Sequence, residues 1–179
     1  MVMETWIFGY GSIIWRPGFE VEESRAGYVD GWMRRFWQGS PDHRGTPERP
    51  GRVMTLIPAV GERCWGRVFR LSSAQCERVL RDLDRREQGG YRRVSIVVNT
   101  SDGVEIEAIC YVANPDNPHF LGPAPMKMIV DVIATARGPS GTNHEYAVRL
   151  AEALREIGHV DSHMCRIERE LQRKYTSSN

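Results

Sequence analysis

Trp6-Ile7-Phe8-Gly9-Tyr10-Gly11-Ser12-Ile13-Ile14-Trp15-Arg16-Pro17 is the stretch on which the fold of this chain turns. Three apolar residues, Trp6 to Phe8, form a short strand signal that runs directly into Gly9-Tyr10-Gly11-Ser12. Two glycines flanking one aromatic open backbone conformations closed to other residues, and the Ser12 hydroxyl adds a group that donates or accepts. N–H groups converging from such a turn form a concavity for an anion or a developing oxyanion. The same string also reads as nothing more than a strand ending in a turn.

Working outward, the first hundred or so residues read mainly as β-structure. Strands are expected at Trp6–Phe8, Ala26–Val29, Met33–Trp37, Val53–Pro58, Cys64–Leu71, Val94–Asn99 and Glu105–Val112, with a hairpin at Asp102-Gly103. Short strands this closely spaced imply an antiparallel or mixed sheet that curls toward a small barrel. One helix interrupts them. Ser72 and Gln75 have the spacing of a capping box, Cys76, Leu80, Leu83 and Glu87 share one face, and Gly89-Gly90 supplies the stop. Helices are expected over Ala124–Ala136, from Thr142 with Glu145 as a second capping box, and over Ser162–Lys174, with a frayed end from Thr176 to Asn179. The fold class is therefore α+β, a small barrel-like sheet flanked by helices, in one domain spanning residues 1–179.

Composition narrows the function classes. Among 179 residues, 24 basic side chains nearly balance 23 acidic ones, so no global field recruits nucleic acid or an anionic membrane. The N-terminus lacks a signal peptide and no window is long enough to span a bilayer, which reads as a cytoplasmic, soluble protein. Cys64, Cys76, Cys110 and Cys165 are scattered without a Cys-x-x-Cys pair and read as buried, inert thiols. His159 and His163 have helical spacing for a metal, but Asp161-Ser162 between them reads as a helix N-cap that breaks the shared face. No metal is expected.

Two constellations carry more chemistry. Glu87 ends an apolar stripe at a helix C-terminus, where burial and the helix dipole both raise a carboxyl pKa, as general acid–base work at neutral pH requires. The arginines around it, Arg85, Arg86, Arg92 and Arg93, equally suit a solvated ion-pair cluster. The second constellation runs from Arg34 to Arg52, with Phe36, Trp37, His43 and Arg44, a pattern that stacks nucleobases or clamps a small carboxylate. The balanced charge favours the carboxylate. The proline-punctuated segment from Asn114 to Pro125 is either a pocket wall or a plain connection.

Taken in order, these strings resemble the ChaC-type γ-glutamylcyclotransferases, the glutathione-specific branch of that superfamily. The likeness rests on Phe8-Gly9-Tyr10-Gly11-Ser12 with Trp15-Arg16-Pro17, Arg35-Phe36-Trp37-Gln38-Gly39, His43-Arg44-Gly45, Pro50-Gly51-Arg52-Val53, Arg86-Glu87 ahead of Gly89-Gly90-Tyr91, and Leu121-Gly122-Pro123-Ala124-Pro125. Arg137-Gly138 and Ser140-Gly141, with Asn143, Glu145 and Tyr146, extend it toward the C-terminus. The resemblance implies that the turn Phe8, Gly9, Tyr10, Gly11, Ser12 and Ile13 holds a γ-glutamyl group and that Glu87 transfers protons, with Arg44 and Tyr146 lining the pocket. It also implies glutathione as substrate, no cofactor, no nucleic-acid or membrane partner, and a monomer or homodimer. Departures are Ile13 in place of leucine, a short spacing from Glu87 to Gly89, and Phe120 in place of tyrosine. A cyclotransferase for another γ-glutamyl amine, a non-catalytic binding module of the same fold and a small nucleic-acid-binding barrel are the competing readings.

Overall fold

The computed structural model describes residues 4–176. The expectations for Met1 to Met3 and for Ser177 to Asn179 lie outside it. Five strands close a barrel in the order β1-β3-β2-β4-β5: β1 Trp6–Gly9, β2 Glu23–Ser40, β3 Gly51–Arg70, β4 Tyr91–Thr100 and β5 Glu105–Ala113. Every pairing is antiparallel except β1 with β5, which is parallel, so the sheet is mixed. The α+β barrel expected from the strand spacing is therefore what forms.

Two expected strand breaks are absent. Ala26–Val29 and Met33–Trp37 belong to one strand of 18 residues, and Val53–Pro58 and Cys64–Leu71 to one of 20 that ends at Arg70. Asp30-Gly31, which reads as a turn signal between the first two of these, does not end the strand. Gly31 (φ 78°) and Gly61 (φ 82°) take left-handed conformations while the register shifts between the Asp30 and Trp32 pairs. A glycine at such an irregularity bends a strand and strengthens its twist, which lets a five-stranded sheet curl onto itself. The Asp102-Gly103 hairpin forms as expected: the Gly103 N–H reaches Thr100 O at 3.0 Å and the Thr100 hydroxyl bonds Val104 O at 2.7 Å.

Helix α1 spans Cys76–Arg86, α2 Met126–Thr135, α3 Asn143–Glu156 and α4 Ser162–Thr176, while a 3-10 turn covers Ser12–Ile14. The capping box at Ser72 does not form, because α1 starts at Cys76 and the Gln75 amide is drawn to Glu20. At α3 the Thr142 hydroxyl accepts from the Glu145 N–H at 3.0 Å, half of the expected box, while the Glu145 carboxylate turns to Arg44. Asp161 caps α4 through the Met164 N–H at 3.0 Å. The chain between α2 and α3 makes a two-residue ribbon, β6 Arg137–Gly138 with β7 Gly141–Thr142.

The positions of the two hydrophobic clusters explain the run Trp6-Ile7-Phe8. Trp6 and Phe8 point into the larger core, shared by the barrel interior with α2, α3 and α4. Ile7 points the other way, into a second cluster with Ile13, Phe69, Val79 and Leu83, under α1. A strand buried on both faces needs apolar residues at every position. The turn that follows β1 is therefore seated between two cores.

Candidate active site

Packing of α1 onto β1 brings Glu87 to the turn. Val79 and Leu83 bury against Ile7 and Ile13, and Glu87 sits four residues beyond Leu83 as the C-cap, its N–H on Leu83 O at 2.8 Å. Behind it, buried Gln38 donates to Gly89 O at 2.9 Å and forms a reciprocal amide pair with Asn117. The turn and the carboxyl thus reach the same space from opposite directions.

That space is two adjoining cavities. The inner one, about 40 Å³, is lined by all of Phe8 to Ile13 together with Glu87 and Tyr146. The outer one, about 290 Å³, shares Ser12, Glu87 and Tyr146 with it and adds Arg44, Arg86 and His43. Every residue that the resemblance assigns to the site, Phe8 to Ile13, Arg44, Glu87 and Tyr146, lines at least one of them. The Asn114–Pro125 segment lines neither; it pairs with the end of β2 through His119 O, which accepts from the Gly39 N–H at 2.8 Å.

The glycines of the turn are required for space. Neither Gly9 nor Gly11 has a positive φ, but Gly11, at φ −127° and ψ −133°, lies outside both the helical and the extended regions, as the expectation of special backbone angles requires. A Cβ on Gly9 would meet the Ile13 side chain at 2.8 Å, and one on Gly11 would meet the Tyr146 hydroxyl at 2.8 Å. Inside the turn, the N–H groups of Ile14 and Arg16 bond the carbonyls of Gly11 and Ser12.

Four tyrosines, Tyr10, Tyr91, Tyr111 and Tyr146, wall the inner cavity, and the hydroxyls of three are fixed by or against backbone atoms around it. Tyr10 donates to Tyr111 O at 2.7 Å, Tyr91 donates to Met54 O at 2.6 Å, and the Tyr146 oxygen accepts from the Met54 N–H at 3.2 Å. Burial pushes the Tyr10 and Tyr91 hydroxyls well above their ordinary value and that of Tyr146 up to about 12, so all three stay protonated near neutrality. Because Tyr146 accepts in its bond to Met54, its own hydrogen remains for a group in the cavity.

Glu87 is the titratable group set apart by its surroundings. Its side chain is 15% exposed, and burial raises its pKa against the opposing pull of Arg86 and His43, with Asp42 adding to the rise. Burial is the leading cause. The solvated cluster of arginines does not form around it: Arg93 pairs with Asp84, Arg92 with Asp116 at 3.2 Å, and Arg86 alone approaches Glu87, Nε to Oε1 at 3.3 Å.

Arg86 was not singled out as a site residue, although it stands beside Glu87 in the sequence. It donates to Arg16 O at 2.8 Å, Pro17 O at 2.9 Å and Ser12 Oγ at 2.8 Å. One guanidinium fork therefore ties the glycine turn to the carboxyl opposite, a geometry that a point charge cannot copy. His43, at the outer wall, bonds Ser140 Oγ at 3.1 Å and Arg86 O at 3.3 Å.

Within the Arg34–Arg52 constellation, Arg34 and Arg52 are held in structural hydrogen bonds. Arg34 is wholly buried, donates to Tyr10 O at 2.6 Å and to Trp65 O, and lies 3.0 Å from Asp161. Arg52 donates to the carbonyls of Phe36 and Gly122. Arg44 does line the outer cavity, yet its Nη1 is held by Thr142 O and Glu145, both at 3.0 Å. Of the thiols, Cys64 and Cys110 are buried with raised pKa, whereas Cys76 and Cys165 are only half-buried; all four are free. His159 stacks on Trp65 and His163 packs against Phe36, so the two rings face different aromatic partners.

Against known proteins, the profile of the ChaC-like protein family matches residues 5–174. The chain belongs to the ChaC-like family. It is 45% identical over 154 residues to the glutathione-specific γ-glutamylcyclotransferase 1 of Danio rerio, covering 84% of this chain and 79% of the relative. It is 43% identical over 157 residues to the Homo sapiens protein of the same name, covering 86% and 71%. A crystal structure of the yeast γ-glutamyl cyclotransferase specific to glutathione superposes with a TM-score of 0.90 at 27% identity, over 95% of this chain and 96% of that one.

Proposed function

We propose that this ChaC-like protein is a glutathione-specific γ-glutamylcyclotransferase that converts glutathione to 5-oxoproline and cysteinylglycine. The observation that carries this reading is one carboxyl of raised pKa, Glu87, sharing a cavity with the glycine turn. Relatives bearing this activity in their names share more than two-fifths of their aligned residues with the chain. The same proposal covers a single domain over residues 1–179, a cytoplasmic location and a monomer or homodimer. Four free cysteines suit a reducing compartment.

The nucleophile belongs to the substrate. The α-amine of the γ-glutamyl group attacks its own γ-carbonyl, a C–N bond closes the five-membered lactam, and the C–N bond to cysteinylglycine breaks. No water is consumed. Glu87 as carboxylate takes a proton from the α-ammonium and, as carboxylic acid, returns it to the departing nitrogen, while the second proton that the attacking nitrogen sheds on becoming the lactam N–H passes to solvent. A pKa raised toward neutrality lets one group serve both steps. Backbone N–H groups from Gly9 to Ile13, joined by the Tyr146 hydroxyl, hold the substrate α-carboxylate or the oxyanion of the tetrahedral intermediate. Tyr10 and Phe8 wall the γ-glutamyl chain. The enzyme's part is thus positioning and charge stabilisation.

Purified protein incubated with glutathione should release 5-oxoproline and cysteinylglycine in equal amounts, followed by mass spectrometry. Glu87→Gln, folded by circular dichroism, should lose about 10²- to 10⁴-fold in kcat, the usual range for a general acid–base group. Full activity in that variant would remove Glu87 from the proton path.

A further inference from the structure

We propose that Arg16 is the residue that reads the amine half of the substrate, pairing with a carboxylate at the far end of the leaving group. The inference rests on the cyclotransferase reading of the same cavity and concerns the part of it that the reacting γ-glutamyl group leaves open.

Three arginines line the outer cavity, and two are already committed. Arg86 is spread over Ser12, Arg16 O, Pro17 O and Glu87. Arg44 is buried, bonded to Thr142 O and Glu145, and lies over the Tyr146 ring at 5.7 Å. The imidazole of His43 is likewise occupied on both nitrogens. Arg16 differs. Its backbone is pinned, N–H to Ser12 O at 2.8 Å and carbonyl to Arg86 at 2.8 Å, with Pro17 following. Its exposed guanidinium, however, has no hydrogen bond or ion pair among the described residues. A fixed root with an uncommitted cation is the arrangement of a ligand-binding arginine.

The surroundings decide from which side an anion meets it. On its other flank Arg16 borders a groove in which Glu145 and Glu152 pair with Arg44 and Arg149, and Glu156 leaves the balance against a further carboxylate. On the cavity side Arg86 adds positive charge, and the rise in the Glu87 pKa favours its neutral form. With the γ-glutamyl end in the inner cavity of about 40 Å³, the amine occupies the outer 290 Å³, and Arg16 stands at its rim. A leaving group that is a dipeptide ending in a free carboxylate fits this layout; an amine without a terminal anion leaves the arginine idle.

The test compares glutathione with its glycine carboxamide as substrates of wild type, Arg16→Gln and Arg16→Lys. Wild type should favour glutathione by about tenfold in kcat/KM, chiefly through KM, the scale of one charge-assisted hydrogen bond. Arg16→Gln should lose that preference by falling on glutathione alone, and Arg16→Lys should keep part of it. Unchanged turnover of the carboxamide also reports a folded variant. A preference that survives in Arg16→Gln, or equal losses on both substrates, overturns the role of Arg16. Absence of 5-oxoproline from both substrates with folded wild type overturns the cyclotransferase reading itself.

Discussion

The inner and outer halves of the cavity are built differently. The inner half is walled by a turn set between two cores and by tyrosines bonded to backbone atoms, with Tyr10 O held from beneath by buried Arg34. The outer half is assembled from the chain after β2 and from the β6–β7 turn, where His43 and Ser140 bond one another. Rigid packing suits the end where the proposed reaction makes its bonds, because small misplacements there cost large factors in rate. Side chains carried on connecting segments suit the end where, in the proposed reaction, leaving groups are sorted. Substitutions inside should therefore lower turnover of every γ-glutamyl substrate, and those outside should change preference among them.

The largest effect belongs to Glu87, and its sign in stability is opposite to its sign in activity. A carboxyl whose folded pKa lies above its unfolded value favours folding at low pH and opposes it as pH rises through the folded pKa. Glu87→Gln should thus melt at or above the wild-type temperature at neutral pH, with the gap closing below about pH 4, where both forms are neutral. A variant less stable than wild type at neutral pH would show that the Arg86 pair outweighs burial.

Next comes Arg86, which lines the outer half and holds Ser12 and Glu87, two side chains that the halves share. Lysine cannot hold Ser12 Oγ, two carbonyls and Glu87 at once. Arg86→Lys should lower kcat by about tenfold to a hundredfold on every substrate with little change in KM. A loss confined to one leaving group would assign Arg86 to the outer half instead.

A smaller effect is expected where the turn touches α3. Gly11→Ala pushes a methyl group into the Tyr146 hydroxyl and should cost roughly 1–3 kcal/mol in thermal or urea unfolding. Adding Tyr146→Phe should recover most of it; no recovery would locate the strain in the backbone.

The smallest lies outside the cavity. Buried His163 has its pKa lowered to about 4, first by burial and then by Arg35, with Arg166 and Arg34 also lowering it and Asp161 opposing. Its neutral form is the folded one, so its contribution is present above the unfolded value of about 6.5 and is lost as pH falls toward 4. Wild type should lose stability over that interval more steeply than His163→Leu, read from melting temperature against pH.

How much of this is legible in sequence depends on the range of the interaction. The β1 strand, the turn after it and Glu87 before Gly89-Gly90 are local patterns, and each lies where its pattern implies. Ser72 fails as a cap because the competing partner of Gln75, Glu20, is 55 residues away. Asp30-Gly31 reads as a break because a bulge and a turn use the same residue, and only the opposite strand distinguishes them. The arginines were hardest. Arg34, Arg52 and Arg86 spend their donors on carbonyls of distant segments, and a carbonyl acceptor leaves no mark in sequence. The adjacency of Arg86 to Glu87 was the one available signal.

The stave that carries the site is also the one that shuts the barrel. Trp6–Gly9 joins Arg67–Arg70 on one edge and Ile109–Cys110 on the other, partners about sixty and a hundred residues away in the chain. Contacts of such separation meet the largest loop-closure cost and lengthen folding. An incompletely closed chain lacks the cleft altogether, so catalytic competence and topological completion coincide. A newly made chain cannot close the barrel around its site until β5, about a hundred residues after β1, has been made.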